Sequence, residues 1–323
     1  MAVPSPADRP DGLPADAIER LRAEHYNAAV QSLVELHRDL RIVRIVPDAG
    51  VVPFLPGQYV SVGLGNWEPR VAGVDPEDLD ELHRQRLSKR AFSVSCSILD
   101  DAGTLRRPAE FPYLEFYAAL VRHAPQRPPA LSPRLFALVP GSRLFVEPHA
   151  AGDYTLVPVQ PDDDVFFFAT GTGEAPHNAM IAELLVAGHR GRIVSAICVR
   201  QKIDAGYRAV HEELMRRFPN YRYLVLTTRE PENLDPAHPY YVGKQYLQDA
   251  IRTGRLERES QVPLDPHRGQ VFLCGSPAMI GIGQHHTSPH SPEPGSMLEL
   301  LASRGFQPDE PHRPGNVHFE RYW

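Results

Sequence analysis

The chain has 323 residues, and because domains usually span about 100–150 residues, its length predicts two domains with some excess. Lys and Arg number 34 against 40 Asp and Glu, so the net charge of −6 argues against nucleic-acid binding, which favours a basic surface. The first residues lack the apolar core of a signal peptide, and no apolar run approaches the roughly 20 residues that cross a bilayer. We therefore expect a cytoplasmic monomer with no membrane anchor.

The cysteines exclude one class of redox protein. Cys96, Cys198 and Cys274 are far apart in the sequence, which argues against a disulfide framework. Three thiolates cannot supply the four ligands of an iron–sulfur cluster. If the chain handles electrons, it does so with another cofactor.

The first half of the chain predicts antiparallel strands. Residues 1–25 are expected to form an extension with a short helix near 15–24, and the polar turn Arg38-Asp39 joins the first two strands as a hairpin. The predicted strands are residues 30–37, 40–46, 59–64, 91–97, 113–121 and 143–147. Short strands between irregular loops favour a small antiparallel β-barrel, which we place at residues 26–157.

From about residue 158, apolar strands alternate with helices. The predicted strands are residues 165–169, 192–199, 222–228 and 270–274, and the predicted helices are residues 177–187, 206–218, 243–252 and 296–304. This alternation predicts a parallel sheet of βα units, a Rossmann-like α/β domain over residues 158–323.

A glycine loop joins the first of these strands to its helix. Gly171, Thr172 and Gly173 are small enough to let backbone N–H groups approach a phosphate, and the helix that follows adds a favourable dipole. The third glycine of the dinucleotide fingerprint is replaced by Pro176. A plain tight turn therefore stays open as the alternative.

Two motifs of the first half are suited to an anion. Arg90 can clamp a pyrophosphate, with the aromatic plane of Phe92 two positions along the same strand face and Ser93 on the other. Ser132 and Pro133 predict a helix start with Ser132 as N-cap. Alternatively, these are an ordinary barrel strand and an ordinary capped helix.

Two further motifs lie near the end of the chain. Cys274 precedes Gly275 at the carboxyl end of a strand, where open α/β sheets bind ligands. The chain ends in Tyr322 and Trp323, whose aromatic rings are rarely left in water without purpose. A buried cysteine before a turn and an aromatic pair that closes the core are the plainer interpretations.

In this order, the motifs resemble those of the ferredoxin–NADP reductase family, and most closely its bacterial flavodoxin/ferredoxin reductases. The resemblance runs from about residue 26 to 323, with insertions. The matching segments are Phe54-x-Pro56-Gly57-Gln58-Tyr59, Arg90-Ala91-Phe92-Ser93, Leu114-Glu115-Phe116-Tyr117, Leu131-Ser132-Pro133-Arg134-Leu135, Ala169-Thr170-Gly171-Thr172-Gly173, Cys274-Gly275-Ser276-Pro277-Ala278-Met279 and Tyr322-Trp323.

The resemblance implies FAD and NADP(H) as cofactors and assigns roles to matching residues. Arg90 would hold the FAD pyrophosphate with help from Leu131 and Ser132, Phe92 would stack on the flavin, and Ser93 would hydrogen-bond near flavin N5. The backbone around the FAD would come from Ala91, Tyr117, Ala118, Ala119 and Leu120. Gly171, Thr172 and Gly173 would cradle the NADP pyrophosphate. Cys274 would lie beside the nicotinamide, Tyr322 and Trp323 beside the FAD, and Glu320 matches a carboxylate that could handle protons.

Basic residues in the second half favour NADP(H) over NAD(H). The 2′-phosphate needs cations where NAD would meet an acid. Arg200 and Arg229 each end a predicted strand, and Lys244 follows Gly243 at a predicted helix start. All three match positions that are basic in the family, although they could also be solvated surface cations.

The chain also departs from the family. Phe92 replaces the usual tyrosine, and Glu174 occupies a usually apolar position where a carboxylate would weaken nucleotide binding unless it points away. Segments 65–89 and 98–112 are longer than in the family, and 283–295 interrupts a helix. His285, His286 and His290 in that insert lack nearby acids or cysteines, so we expect no metal.

The resemblance implies hydride transfer from NADPH to flavin N5, followed by single-electron transfer to a separate ferredoxin or flavodoxin. Basic residues in segment 83–90, together with Arg106 and Arg107, could dock such an acidic carrier. Two alternatives stay open. One is a reductase that serves an oxygenase or a quinone, and the other is a non-catalytic flavin- or nucleotide-binding regulator.

Overall fold

A computed structural model describes residues 13–282, 295–310 and 312–321. The chain divides into two compact units. Unit 1 contains the described residues up to Cys96 together with Ala109–Gly152, and unit 2 contains Ser97–Pro108 and the described residues from Asp153 onward. The excursion of Ser97–Pro108 into unit 2 has no signal in the sequence. In the described part of the chain, no helix is both long and apolar enough to cross a membrane.

Unit 1 is a barrel of six antiparallel strands. The strands are β1 (Ala28–His37), β2 (Leu40–Pro47), β3 (Tyr59–Gly65), β4 (Leu87–Ser93), β5 (Leu114–Ala119) and β6 (Arg143–Val146). Their order is β4-β3-β6-β1-β2-β5, and an isolated bridge between Ser95 and Glu115 joins the two ends of the sheet. This bridge brings the two edge strands together at one point and so covers part of their edges.

Short helices flank the barrel. They are α1 (Ala15–His25), α2 (Glu81–Arg84) and α3 (Leu131–Leu135). The barrel core is aliphatic and aromatic, with Val43, Ile45, Leu64, Leu114 and Leu144 all fully buried. These residues alternate along their strands with outward-facing ones, which is the period-2 pattern that predicts a half-buried strand.

Unit 2 is a five-stranded parallel sheet covered by helices. Its strands are β7 (Asp164–Thr170), β8 (Ile193–Val199), β9 (Tyr221–Thr227), β10 (Gly269–Gly275) and β11 (Val317–Arg321). Its helices are α4 (Glu174–Val186), α5 (Arg208–Arg217), α6 (Pro231–Leu234), α7 (Leu247–Arg252), α8 (Arg255–Ser260), α9 (Pro277–Ile280) and α10 (Met297–Ser303). The fold class predicted from the sequence is therefore confirmed.

The order of the parallel strands fixes where a ligand is expected. The order is β11-β10-β7-β8-β9, so the chain leaves β7 toward β8 and later returns to the other side of β7. Open α/β sheets bind ligands at such a reversal, beyond the carboxyl ends of the strands. The glycine loop after β7 and the Cys274 segment at the end of β10 both lie there.

Several predicted boundaries are wrong. The strand expected at 91–97 is β4, which runs from Leu87 to Ser93. The last residues of segment 65–89 are therefore strand and not loop. The helix expected from Gly243 begins only at Leu247, so Lys244 lies in a loop. The helix expected at 177–187 begins at Glu174, since Pro176 is compatible with a first helical turn. The terminal strand β11 was not predicted at all.

Segment 65–89 is tied to the barrel by buried charges. Arg134 of α3 is 1% exposed and donates to both Glu77 oxygens, at 3.0 and 2.6 Å. Glu68 is also buried and accepts from Arg22 of α1 at 2.8 and 2.6 Å. Both the insertion and the N-terminal helix are therefore structural parts of unit 1.

Candidate functional site

The candidate residues of unit 1 begin on β4. Arg90 is exposed, and its guanidinium donates to the Lys89 carbonyl at 2.9 Å, without an ion pair among the described residues. Phe92 is half-buried and meets Phe116 edge-on, with ring centroids 5.9 Å apart. Ser93 is 5% exposed at the end of the strand. Arg90 and Phe92 thus share a face of β4, as predicted, with a free positive charge beside an aromatic ring.

The segment predicted to line a cofactor through its backbone is β5 and the residue after it. Tyr117, Ala118 and Leu120 are buried, whereas Ala119 is exposed. β5 is the last strand of the sheet order and pairs with β2 along its length. On its other edge, Glu115 forms an isolated bridge with Ser95.

The helix start predicted at Ser132 is wrong. Helix α3 begins at Leu131, its N-cap is Ala130, and it has only five residues. The Ser132 hydroxyl instead accepts a hydrogen bond from the Val121 N–H at 3.1 Å. Ser132 therefore holds the chain after β5 against α3, and Leu131 is buried in the barrel core.

The candidate phosphate site of unit 2 is the glycine loop. Gly171–Gly173 forms one 3-10 turn between β7 and α4. A Cβ at Gly173 would lie 2.3 Å from the Cys274 carbonyl oxygen, and one at Gly275 would lie 2.2 Å from the Thr170 hydroxyl. The Ser276 N–H donates to that hydroxyl at 2.7 Å. Backbone from two strand ends is thus packed so closely that only glycine fits at both positions.

Cationic side chains gather at the neighbouring strand ends. Arg200 directly follows β8, Arg229 lies two residues after β9, and the Arg229 N–H donates to the Arg200 carbonyl at 2.7 Å. The Gln245 N–H donates to the Thr227 carbonyl at 3.0 Å, which brings Lys244 to the same edge of the sheet. All three side chains are exposed, and none has an ion pair within the residues that the structure describes. The structure therefore brings the three predicted cations together.

Cys274 and Glu320, the residues predicted to lie beside the nicotinamide and to handle protons, are on β10 and β11. These strands lie on the other side of β7 from β8 and β9. Cys274 on β10 is fully buried, and its partner in the parallel register is Glu320 on β11, which is half-buried. Their side chains share one face of the sheet because both alternate with Leu273 and Phe319, which pack into the apolar core. Tyr322 and Trp323 lie outside the described residues, as do His285, His286 and His290.

Sequence reasoning missed the buried polar cluster around Glu174. This carboxylate is fully buried, accepts a hydrogen bond from the Tyr223 hydroxyl at 2.7 Å, and lies 3.4 Å from His211 Nε2. It is therefore turned away from solvent, toward β9 and α5. The only signal in the sequence was an acid in an otherwise apolar helix start.

The basic residues proposed for carrier docking divide between the units. Arg86, Lys89 and Arg90 are exposed in unit 1, and Lys89 lies 3.5 Å from Glu147. Arg106 and Arg107 belong to unit 2, where they pair with Asp100 and Glu183. The charge of the last two is thus already balanced.

Comparisons with known proteins agree with this geometry. The oxidoreductase NAD-binding domain family matches residues 167–285. The flavodoxin/ferredoxin–NADP reductase of Escherichia coli (strain K12) is 26% identical over 276 residues, which cover 85% of this chain and 90% of that protein. The ferredoxin–NADP reductase of Azotobacter vinelandii is 26% identical over 256 residues, with 76% and 85% covered.

Solved structures share the whole architecture. A ferredoxin–NADP+ reductase from Neisseria gonorrhoeae, with bound FAD and NADP, aligns with a TM-score of 0.66 at 16% identity and covers 92% of this chain and 98% of its own. The fold is that of two-domain FAD- and NAD-binding reductases, a barrel followed by a parallel α/β unit. The sequence matches support the resemblance to the ferredoxin–NADP reductase family.

Proposed function

We propose that the protein is a cytoplasmic, FAD-dependent reductase that moves electrons between NADP(H) and a separate ferredoxin or flavodoxin. The observation that carries this proposal is the glycine loop at the strand-order reversal, where Gly173 lies against the Cys274 carbonyl and Arg200 and Arg229 end the neighbouring strands. The loop suits a pyrophosphate, and the two arginines suit a 2′-phosphate.

The residues on the barrel fit an FAD. Arg90 has a guanidinium that no described carboxylate neutralises, so its charge is available to the FAD pyrophosphate. Beside it, Phe92 would offer its ring to the flavin, and Ser93 would hydrogen-bond near N5. The backbone of Tyr117–Ala119, at the end of β5, would contact the cofactor. The five-residue helix α3 contributes less than expected, since Ser132 already bonds to Val121.

Bound FAD would supply the exchange between a two-electron hydride donor and one-electron acceptors. The protein's own residues orient and shield the reactants. Gly171, Thr172 and Gly173 would hold the NADPH pyrophosphate, and the Cys274 backbone packed against Gly173 would fix the position of that loop. Glu320, level with Cys274 on β11, would hold or release a proton on the same face of the sheet.

An absorbance spectrum of the purified protein tests the proposal. A yellow protein should bleach on addition of NADPH, and more slowly with NADH. Arg90→Ala should lower the FAD content, whereas Arg190→Ala, which removes an exposed and already paired guanidinium of unit 2, should leave it unchanged. A colourless protein that takes up no added FAD would refute the proposal and would favour a nucleotide-binding regulator.

The acceptor is proposed to dock on the basic residues of segment 83–90. Arg86 and Lys89 are exposed there and are not assigned to the FAD, whereas Arg106 and Arg107 are paired and contribute less. Attraction to an acidic carrier is screened by salt, so ferredoxin reduction should slow as ionic strength rises. Salt-insensitive reduction, or faster turnover with an oxygenase component or a quinone, would favour the alternative reductase.

One solved structure similar to this chain is a reductase of an oxygenase system. The ferredoxin reductase of carbazole 1,9a-dioxygenase aligns with a TM-score of 0.58 at 18% identity and covers 92% of this chain. At that identity the likeness concerns the fold alone. Direct assays with purified ferredoxin, flavodoxin and a quinone therefore decide between the acceptors.

A further inference from the structure

An irregular loop connects the two parts of unit 1 that are proposed to contact FAD through their backbone. Residues 120–130 join β5 to α3. The proposed contacts lie at both ends of this loop, at residues 117–120 and at Leu131 and Ser132. A connecting loop is mobile unless other residues hold it, and a mobile loop must be ordered when a ligand binds. The bonds that hold this loop therefore bear on the affinity for FAD.

The segment 66–77, the first part of the long connection between β3 and β4, is bonded to the α3 end of the loop. The Val71 N–H donates to the Pro133 carbonyl at 3.1 Å. The Arg70 guanidinium donates to the Pro129 carbonyl at 3.0 Å. Both acceptors are backbone atoms, so these bonds fix the course of the chain as it enters α3.

Asp75 of the same segment is bonded to the β5 end of the loop. Its N–H donates to the Arg122 carbonyl at 2.9 Å. Its carboxylate accepts from the Ala124 N–H at 3.0 Å and lies 2.7 Å from His123 Nδ1. One residue of the segment thus holds three successive residues of the loop.

Arg122 joins the loop to the segment and to the hairpin between β1 and β2. Its guanidinium donates to the Asp39 carboxylate at 2.9 and 2.5 Å, and to the carbonyls of Ala72 and Gly73 at 3.1 and 3.3 Å. The Asp39 carbonyl in turn accepts from the Leu120 N–H at 2.9 Å. Less than a third of the Arg122 and Asp39 side chains is exposed, so water only partly screens the pair.

We propose that the segment 66–77 preorganises the loop for FAD, with Arg122 and Asp75 as positioning residues that act through the loop backbone. The inference rests on the proposed function, since FAD is the ligand. All of these bonds are made within unit 1, so a loop that they hold loses little conformational entropy when FAD binds. The connection that is longer here than in the family thereby acquires a role at the cofactor site.

Loss of these bonds should weaken FAD binding. Asp75→Ala removes the acceptor of the Ala124 N–H, and Arg122→Ala removes the donor to Ala72 and Gly73. Ordering the backbone of one freed residue lowers a binding constant by about 5- to 30-fold, so each variant should raise the Kd for FAD by about tenfold. Asp75→Asn keeps an oxygen that can accept from the same N–H, and its Kd should stay near the wild-type value.

Titration of the full-length chain, stripped of its flavin, with FAD gives these Kd values from the change in flavin fluorescence. Arg143→Ala is the matched control, because it removes a guanidinium of unit 1 that pairs with Asp48 in the same way, outside the loop and the segment. Urea unfolding of the variants measures stability separately, and loss of either arginine pair should change it little. Only the loop variants should bind FAD weakly. An equal rise in Kd for Arg143→Ala would overturn the inference.

Hydrogen exchange of the stripped wild-type chain tests the same point without a variant. The amides of Ala124 and Asp75 should be protected, because their acceptors belong to the segment and to the loop. Exchange as fast as in an open loop would overturn the inference, and this measurement decides even if a variant does not fold. Equal Kd values for the wild-type protein, Asp75→Ala and Arg122→Ala would overturn it as well, with the proposed function intact. A wild-type chain that binds no FAD would instead overturn the proposed function.

Discussion

The close contact between the glycine loop and β10 predicts a specific defect in Gly173→Ala. Gly173 has φ −61 and ψ −11, which alanine adopts without strain, so only the added methyl group matters. Its Cβ would lie 2.3 Å from the Cys274 oxygen and 2.6 Å from the Cys274 carbonyl carbon, and both are backbone atoms. Because real contacts of this kind stay beyond 3.0 Å, the loop and the strand must separate.

That separation is expected to reduce stability and, more strongly, nucleotide binding. Overpacking of this kind costs about 1–3 kcal/mol of folding free energy. A displacement approaching 1 Å at positioning residues can lower kcat/KM by about 100-fold. Since the loop belongs to unit 2 and the residues proposed for FAD belong to unit 1, FAD content should not change.

Gly188→Ala is the matched control for this prediction. Gly188 lies just beyond the other end of α4 with φ +69, and a Cβ there meets nothing within 4 Å. Alanine at this position costs about 1–2 kcal/mol through backbone strain alone. The two variants should therefore unfold at similar urea concentrations, whereas only Gly173→Ala should bind NADP+ weakly. Equal NADP+ affinity in both variants would refute the argument from close approach.

Three further predictions concern charge. Glu77→Gln leaves the buried Arg134 guanidinium without its carboxylate and should cost about 3–5 kcal/mol in urea unfolding, so a loss under 1 kcal/mol would contradict the buried pair. His177 has its pKa lowered to about 3, so below the unfolded-state pKa of about 6.5 the unfolded chain binds a proton that the folded protein does not. As the pH falls from about 6.5 toward 3, this group should lower the free energy of unfolding by about 1.4 kcal/mol per pH unit. His177→Gln should flatten that slope in urea unfolding, and an unchanged slope would show that another residue causes it. Finally, Arg200→Ala and Arg229→Ala should each lower kcat/KM with NADPH more than with NADH, and equal losses would exclude a 2′-phosphate contact.

The sequence predicted the elements whose patterns are local. The hairpin about Arg38-Asp39 and strand β7 before the glycine loop were found because period-2 alternation and an apolar run with glycines are strong signals. Strand β4 was placed too late in the chain, because Leu87, Ser88 and Lys89 carry no apolar alternation. Their pairing with β3 is decided by the tertiary register.

Long-range ion pairs were beyond sequence reasoning. Arg106 and Arg107 were interpreted as docking residues because a basic dipeptide in a long loop is normally solvated. The structure pairs Arg106 with Asp100 of the same loop and Arg107 with Glu183, and only the second pair is long-range, since Glu183 lies 76 positions away. Residue patterns do not specify such contacts. The convergence of Arg200 and Arg229 was predictable, since carboxyl ends of adjacent parallel strands meet at one edge of a sheet.

The two faces of the parallel sheet differ in chemistry, because successive side chains of each strand alternate between the two faces. One face is apolar and includes Leu224 and Leu226 of β9 and Leu273 of β10. The other face carries the alternate residues, including Tyr221, Tyr223, Ser195, Phe272, Cys274, His318 and Glu320. The apolar face supplies the burial that drives folding, which lets the other face hold buried polar groups. Cys274 and Glu320, for which a role beside the nicotinamide is proposed, therefore lie on the face that also holds the buried polar side chains of β8 and β9.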